Sequence, residues 1–213
     1  MQKSIKTILR NTKKFLLNQK FNSSTYWEKR YAQGENSGDG SYGQLAQFKA
    51  DVINRFVREH QVQSVIEYGC GDGNQLQLFT FPSYLGFDVS TTVIELCQRK
   101  YAHDPSKAFK VVNAYQGETA QLTLSLDVLY HLVEEPIYTA YLNRLFASAQ
   151  AYVIIYSSNF DDNSPTRAPH VKHRRFTDWV TQNCADWQLS QHIANPTPEV
   201  SSADFYIYAK ADR

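Results

Sequence analysis

The stretch Val65-Ile-Glu67-Tyr-Gly69-Cys-Gly71-Asp-Gly73-Asn74 decides the fold. A short apolar run, read as a strand over residues 64–68, gives way to three glycines at alternate positions. Glycine tolerates the left-handed turn that such a loop needs and lets a ligand approach the backbone closely. A strand that ends in a glycine turn and leads into a helix marks the ligand-binding edge of an open α/β sheet. The sequence predicts that helix start at residues 74–78.

Outward from this loop, strands and helices alternate. Strands are expected over 84–87, 109–112, 122–126 and 152–156, with helices over 91–101 and 136–149. Ser90 is a suitable N-cap, and Pro136 sits where a first helical turn tolerates proline. Residues 152–156 are apolar throughout, as in a strand covered on both faces. A helix over 176–184 follows, then strands over 189–193 and 205–209 with no helix between them. The pattern predicts an α/β fold: a Rossmann-like, doubly wound, mainly parallel sheet of about seven strands, with an antiparallel edge pair and helices on both faces. Upstream, residues 44–60 carry apolar residues at helical spacing, whereas 22–43 read as a polar, Gly-rich loop with a short helix around 25–31.

Size and charge narrow the function. The 213 residues, 42% hydrophobic and 20% charged, suit one domain over 22–213 with a short appendage. The net charge of +1 carries no overall nucleic-acid signature. Residues 1–20 hold Lys3, Lys6, Arg10, Lys13, Lys14 and Lys20 and no acid, so the rest of the chain is net acidic. Residues 4–17 read as a basic amphipathic helix, and the arm over 1–21 is a candidate for weak membrane-surface contact or for packing on protein. Cys70, Cys97 and Cys184 are widely spaced and form no C-x-x-C pair. Neither a disulfide framework nor a metal site is indicated. With no apolar stretch of membrane-spanning or secretory type, a cytoplasmic location is expected.

Two nucleotide ligands compete for the glycine loop. A dinucleotide site prefers G-x-G-x-x-G, and its third glycine would fall at Asn74. Glu67 and Asp72 beside the loop also disfavour a pyrophosphate. S-adenosylmethionine carries an ammonium and a sulfonium and no phosphate, and it suits an acidic loop. Asp88, at the end of the second strand, has the spacing of an acid that accepts hydrogen bonds from ribose hydroxyls. Taken alone, Asp88 reads equally well as a strand-end turn residue.

The segments V-I-E-Y-G-C-G-D-G-N, Y-L-G-F-D-V-S and S-L-D-V-L-Y-H-L (125–132) resemble those of class I S-adenosylmethionine-dependent methyltransferases. The N-terminal Y-W-E-K-R-Y and G-S-Y-G-Q-L-A-Q-F-K-A resemble a bacterial subgroup that accompanies enzymes of surface-polysaccharide and glycan modification. The likeness spans about residues 26–179. It implies S-adenosyl-L-methionine as cofactor, held by Glu67, Gly69, Cys70, Gly71, Gly73, Asp88, Val89 and Asp127. Where many members carry an adenine-binding acid after strand three, this chain has Asn113-Ala114, and Asn113 is the candidate there. The expected activity is methyl transfer to a small molecule or glycan, with oxygen as the favoured acceptor atom.

His131, four residues past Asp127 on the ligand-binding edge, is the candidate general base, since an unperturbed imidazole titrates at about 6.5. Its alternative role is packing beneath the site, and that of Asp127 is helix capping. Tyr26, Trp27, Tyr31, Tyr42 and Tyr130 are candidate acceptor-binding residues, the first four as a lid. His170, His173 and Arg174 are candidates for recognising an acidic or phosphorylated acceptor, or else form a solvated helix start. The rival functions are a nicotinamide-linked oxidoreductase, which lacks its third glycine here, and a non-catalytic cofactor-binding scaffold. Nucleic-acid methylation is disfavoured by the absence of an Asn-Pro-Pro-Tyr-type motif.

Overall fold

The computed structural model describes residues 21–161 and 168–211. The helix expected over 4–17 lies outside the described residues, as does the basic arm apart from Phe21. Among the described residues, seven strands build one sheet: β1 (Val65–Tyr68), β2 (Tyr84–Asp88), β3 (Lys107–Val111), β4 (Ala120–Leu126), β5 (Ala149–Ser157), β6 (Trp187–Ile193) and β7 (Asp204–Lys210). Their spatial order is β3-β2-β1-β4-β5-β7-β6. The first five pair in parallel, and β7 runs antiparallel to both β5 and β6. This is the mainly parallel Rossmann-like sheet with an antiparallel edge pair that the alternation predicts.

Among the described residues, five α-helices accompany the sheet: α1 (Ser23–Ala32), α2 (Gly43–Glu59), α3 (Thr91–Lys100), α4 (Glu135–Ala147) and α5 (Phe176–Asn183). Two apolar layers sandwich the strands. On one face, Ile53 and Phe56 of α2 and Ile94 and Cys97 of α3 pack on Val65, Leu122, Leu124 and Ile154. On the other, Tyr138, Leu142 and Leu145 of α4 and Phe176 and Val180 of α5 pack on Ile66, Phe87, Val153 and Ile155. Alternate residues of β5 thus face opposite layers, which is why that strand is apolar throughout. Ser90 caps α3, its hydroxyl accepting from the Val93 amide at 3.2 Å.

One element departs from expectation. No α-helix follows the glycine loop; residues Gln75–Leu78 form a single 3-10 turn. Only residues 69–83 join β1 to β2, and they include three glycines and Pro82. Proline disfavours helix at the residue before it. Leu76, Phe79 and Phe81 instead turn into the core, with Phe81 stacked between Phe79 at 4.9 Å and Tyr84 at 5.7 Å. Helix α2 packs on the same face of the sheet as these side chains. A smaller adjustment concerns β5, which begins at Ala149, so α4 stops at Ala147. Among the described residues, no helix is long and apolar enough to cross a membrane.

Leu142 is fully buried between α4 and the sheet. Leu142→Ala is expected to lower the unfolding free energy by about 2–5 kcal/mol, read as a reduced urea midpoint at unchanged slope.

Candidate functional site

The C-terminal ends of β1, β2 and β4 open onto one cleft whose envelope, including space open to solvent, is about 910 Å³. The glycine loop is its floor. Gly69 and Gly71 have φ of 84° and 55°, in the left-handed region. A Cβ on Gly69 would lie 2.5 Å from Val128 Cγ2, and one on Gly71 would collide with the Ser37 hydroxyl. Both positions therefore require glycine for conformation and for space.

Asp88 fastens this loop. Its Oδ2 accepts from the Gly71 amide at 3.1 Å and its Oδ1 from the Ser90 amide at 3.0 Å. Burial pushes its carboxyl up to about 6. Glu67, on β1, accepts from the Tyr84 hydroxyl at 2.6 Å. Burial pushes it up to about 7, and the neighbouring Tyr84 hydroxyl and Lys49 charge hold it from rising further. Asp127, after β4, has a φ of 59°, a conformation uncommon outside glycine. Two side chains hold its carboxylate: the Lys49 ammonium contacts Oδ2, and the Tyr130 hydroxyl donates to Oδ1 at 2.8 Å.

The segment before β1 forms the roof. The Ser23 amide donates to Glu134 at 2.8 Å, and the Ser23 hydroxyl contacts the same carboxylate, so α1 is tied to the start of α4. Further along α1, Glu28 accepts from the Thr92 hydroxyl at 2.5 Å, tying it to the start of α3. The strap after α1 is fixed to the glycine loop through Asp72. That carboxylate accepts from the Ser37 amide at 2.9 Å and the Tyr42 hydroxyl at 2.8 Å, while the Asp72 amide donates back to the Ser37 hydroxyl at 2.9 Å.

At the mouth, rings gather around His131. Trp27 meets it edge-on at 5.0 Å, Tyr130 lies at 4.6 Å, and His170 stacks at 5.4 Å with Tyr26 beyond it at 4.7 Å. His131 Nδ1 faces the His170 carbonyl at 3.1 Å. That contact favours the tautomer whose Nδ1–H donates and whose Nε2 keeps its lone pair. Burial pushes the imidazole down to about 4, with the His170 carbonyl opposing the fall. The unperturbed value assumed from the sequence is thus corrected, and His131 is neutral near pH 7.

Of the sequence-selected residues, Glu67, Gly69, Cys70, Gly71, Asp88, Val89, Asp127, His131, Trp27 and Tyr31 line the cavity together. Gly73, Asn113, Tyr26, Tyr42, Tyr130, His170, His173 and Arg174 do not. Asn113 is exposed in a 3-10 turn, and its neighbour Val112 faces the cavity instead. His173 is buried with its Nδ1 2.6 Å from the Ser158 hydroxyl. Arg174 donates to the Leu132 and Val133 carbonyls at 2.8 and 2.9 Å, pairs with Glu135 at 3.1 Å and covers the Tyr138 ring at 4.2 Å. It braces the turn that carries His131. Sequence reasoning missed Lys49, Ser37 and Glu134. Only Lys49 left a signal, as a lysine within the apolar stripe of α2.

A scan of protein-family models finds no match to this chain, and a comparison with curated proteins finds none either. Solved structures do share the fold. Magnesium protoporphyrin IX methyltransferase (ChlM) from Synechocystis PCC 6803 with bound SAH is 15% identical, with a TM-score of 0.62 over 93% of this chain and 100% of that one. The N-methyltransferase NodS from Bradyrhizobium japonicum WM9, in complex with S-adenosyl-l-homocysteine, is 12% identical, with a TM-score of 0.68 over 90% and 100%. An O-methyltransferase family protein from Burkholderia thailandensis is 14% identical, with a TM-score of 0.60 over 79% and 57%. At such identities the likeness is one of fold.

Glu67 titrates higher in the folded chain than an exposed glutamate does, so the folded state holds its proton through pH values where the unfolded chain has released it. Its contribution to stability therefore falls as pH rises from about 4.5 to about 7. Glu67→Gln lacks that titration. Relative to the unmutated protein, the variant is expected to gain stability across this window, measured by urea unfolding at several pH values.

Proposed function

We propose that this chain is an S-adenosylmethionine-dependent methyltransferase acting on a small molecule or glycan, with oxygen as the acceptor atom. The observation that carries this reading is the sign of charge in the cavity. Glu67, Asp72, Asp88 and Asp127 line it, and among the described residues no lysine or arginine does. A pyrophosphate would meet an excess of acid there, even with Asp127 paired to Lys49 and Glu67 held up to about 7, whereas a ligand with an ammonium and a sulfonium is complementary to it. The donor set fits that cofactor. Asp88 retains lone pairs for ribose hydroxyls beyond its two backbone donors, and Val89, Val112, Leu132 and Ile137 offer an apolar wall for a base.

When bound, S-adenosylmethionine supplies both the electrophilic methyl and its leaving group. The chain itself has to orient the acceptor and exclude water. Helix α1 and the Ser37–Tyr42 strap enclose the cavity from above, which favours a fixed approach of acceptor to cofactor. Nε2 of His131 is the atom placed to hold a proton leaving the acceptor. A general base works best near the operating pH, so an imidazole held down to about 4 contributes less than an unperturbed ring would. Trp27, which lines the cavity, presents ring surface of the kind that receives sugar C–H faces, with Tyr26 edge-on behind it. Arg174 and His173 are committed within the protein, so recognition of an acidic acceptor by them forms no part of this proposal.

Titration calorimetry tests the reading directly. S-adenosylmethionine and S-adenosylhomocysteine are expected to bind and NADH to give no heat. Asp88→Ala should weaken the adenosyl ligands at least about tenfold, through loss of both the ribose acceptor and the loop anchor. NADH binding without adenosyl binding would overturn the proposal. His131→Ala should retain S-adenosylhomocysteine binding and lose methyl transfer in a screen of sugar and nucleotide-sugar acceptors.

A further inference from the structure

Lys49 is fully buried, yet it projects from the middle of α2 toward the cavity edge. Its ammonium contacts Asp127 Oδ2 and lies 5.2 Å over the Tyr156 ring. Its charge is also felt at Glu67. Both carboxylates line the cavity, Glu67 just before the glycine loop and Asp127 across from it after β4. Gly40 closes the group from the strap: a Cβ there would sit 2.7 Å from Asp127 Oδ2. One cation thus stands behind two acids at the β1–β4 side of the cleft, opposite the Asp88 side.

Burying a lysine is costly unless it is paired. A neutral residue would fill this position in the apolar stripe of α2 more cheaply, so the charge calls for a functional account. Accepting the reading of the cleft as an adenosyl site, we propose that Lys49 is a specificity-determining residue that sets the preference between the methylated and demethylated cofactor. Lys49 touches neither ligand and acts through Asp127 and Glu67. The two cofactors differ by a methyl and one positive charge at sulfur. Uncompensated, the acids of this cleft would hold the cation far more tightly than the neutral product. The field of Lys49 trims that preference, so that the demethylated cofactor competes at comparable affinity.

The measurable quantity is the ratio of Kd for S-adenosylmethionine to Kd for S-adenosylhomocysteine, obtained by calorimetry at about pH 8, above the values of about 7 for Glu67 and about 6 for Asp88. General damage to the cleft moves both constants and largely cancels in the ratio. Lys49→Met is expected to shift the ratio about tenfold toward the cation. Asp127→Asn removes the opposite charge of the same pair and should shift it the other way. Lys49→Arg should hold it within about twofold. The opposed shifts are the signature, and Lys49→Gln, with the same shift toward the cation expected, carries the test if Lys49→Met does not fold. Shifts in the same direction, or ratios within about twofold of the unmutated protein in both variants, would overturn the role of Lys49 while leaving the cofactor reading intact. Failure of the unmutated protein to bind either ligand would instead remove the cofactor reading.

Discussion

The carboxylate of Asp88 is the constraint on which the cleft edge of the sheet depends. One oxygen takes the Gly71 amide and the other the Ser90 amide. Three pieces of chain are thereby fixed at one point: the glycine loop after β1, the end of β2 and the first turn of α3. The cost is a buried acid whose ionisation is opposed by its surroundings. Backbone amides are well suited to meet that cost, because they cannot move away without unfolding the loop. With the loop so fixed, two glycines take left-handed conformations that leave room for Ser37 and Val128 to pack against them.

The absence of a crossover helix after β1 changes how the cleft is completed. In a Rossmann-like sheet the glycine loop is ordinarily backed by a helix N-terminus. Here that backing is a 3-10 turn, and the N-terminal segment takes over part of the work. Asp72 is the joint: it gathers the Ser37 amide, the Tyr42 hydroxyl and the Asn74 amide on one carboxylate. The Asn74 side chain in turn donates to the Ser41 carbonyl at 2.9 Å. The roof and the floor of the cavity are consequently one hydrogen-bonded unit, so a change in the strap is felt in the loop.

Much of this was legible in the chain. Period-two and period-3.6 patterns gave the sheet and most helices, since a strand such as Tyr152–Tyr156, buried on both faces, has little compositional freedom. The glycine spacing and Asp88 located the cleft. What escaped was set by packing across sequence distance. Nothing in Arg174 itself reveals that the Leu132 and Val133 carbonyls will claim its guanidinium. The helix expected after Gly73 failed for lack of length, because Phe79 and Phe81 had to reach the core before β2 began. The unperturbed titration assumed for His131 failed because Trp27, Tyr130 and His170 exclude water from a ring that the sequence places on an open edge.

Lys49 shows how a single misfit in an otherwise clean pattern carries meaning. Ala46, Ala50, Ile53, Phe56 and Val57 define a stripe on α2 that the fold buries, and the lysine sits within it. A solvated lysine would have turned away from that face, since the stem is long enough to snorkel. It points inward because Asp127 waits there in a left-handed backbone conformation, with Tyr130 holding its second oxygen. The pair joins the core helix to the turn bearing His131, next to Tyr130 in sequence. The Lys49–Asp127 contact thus acts together with Arg174 and the His170 carbonyl in fixing the turn and its imidazole.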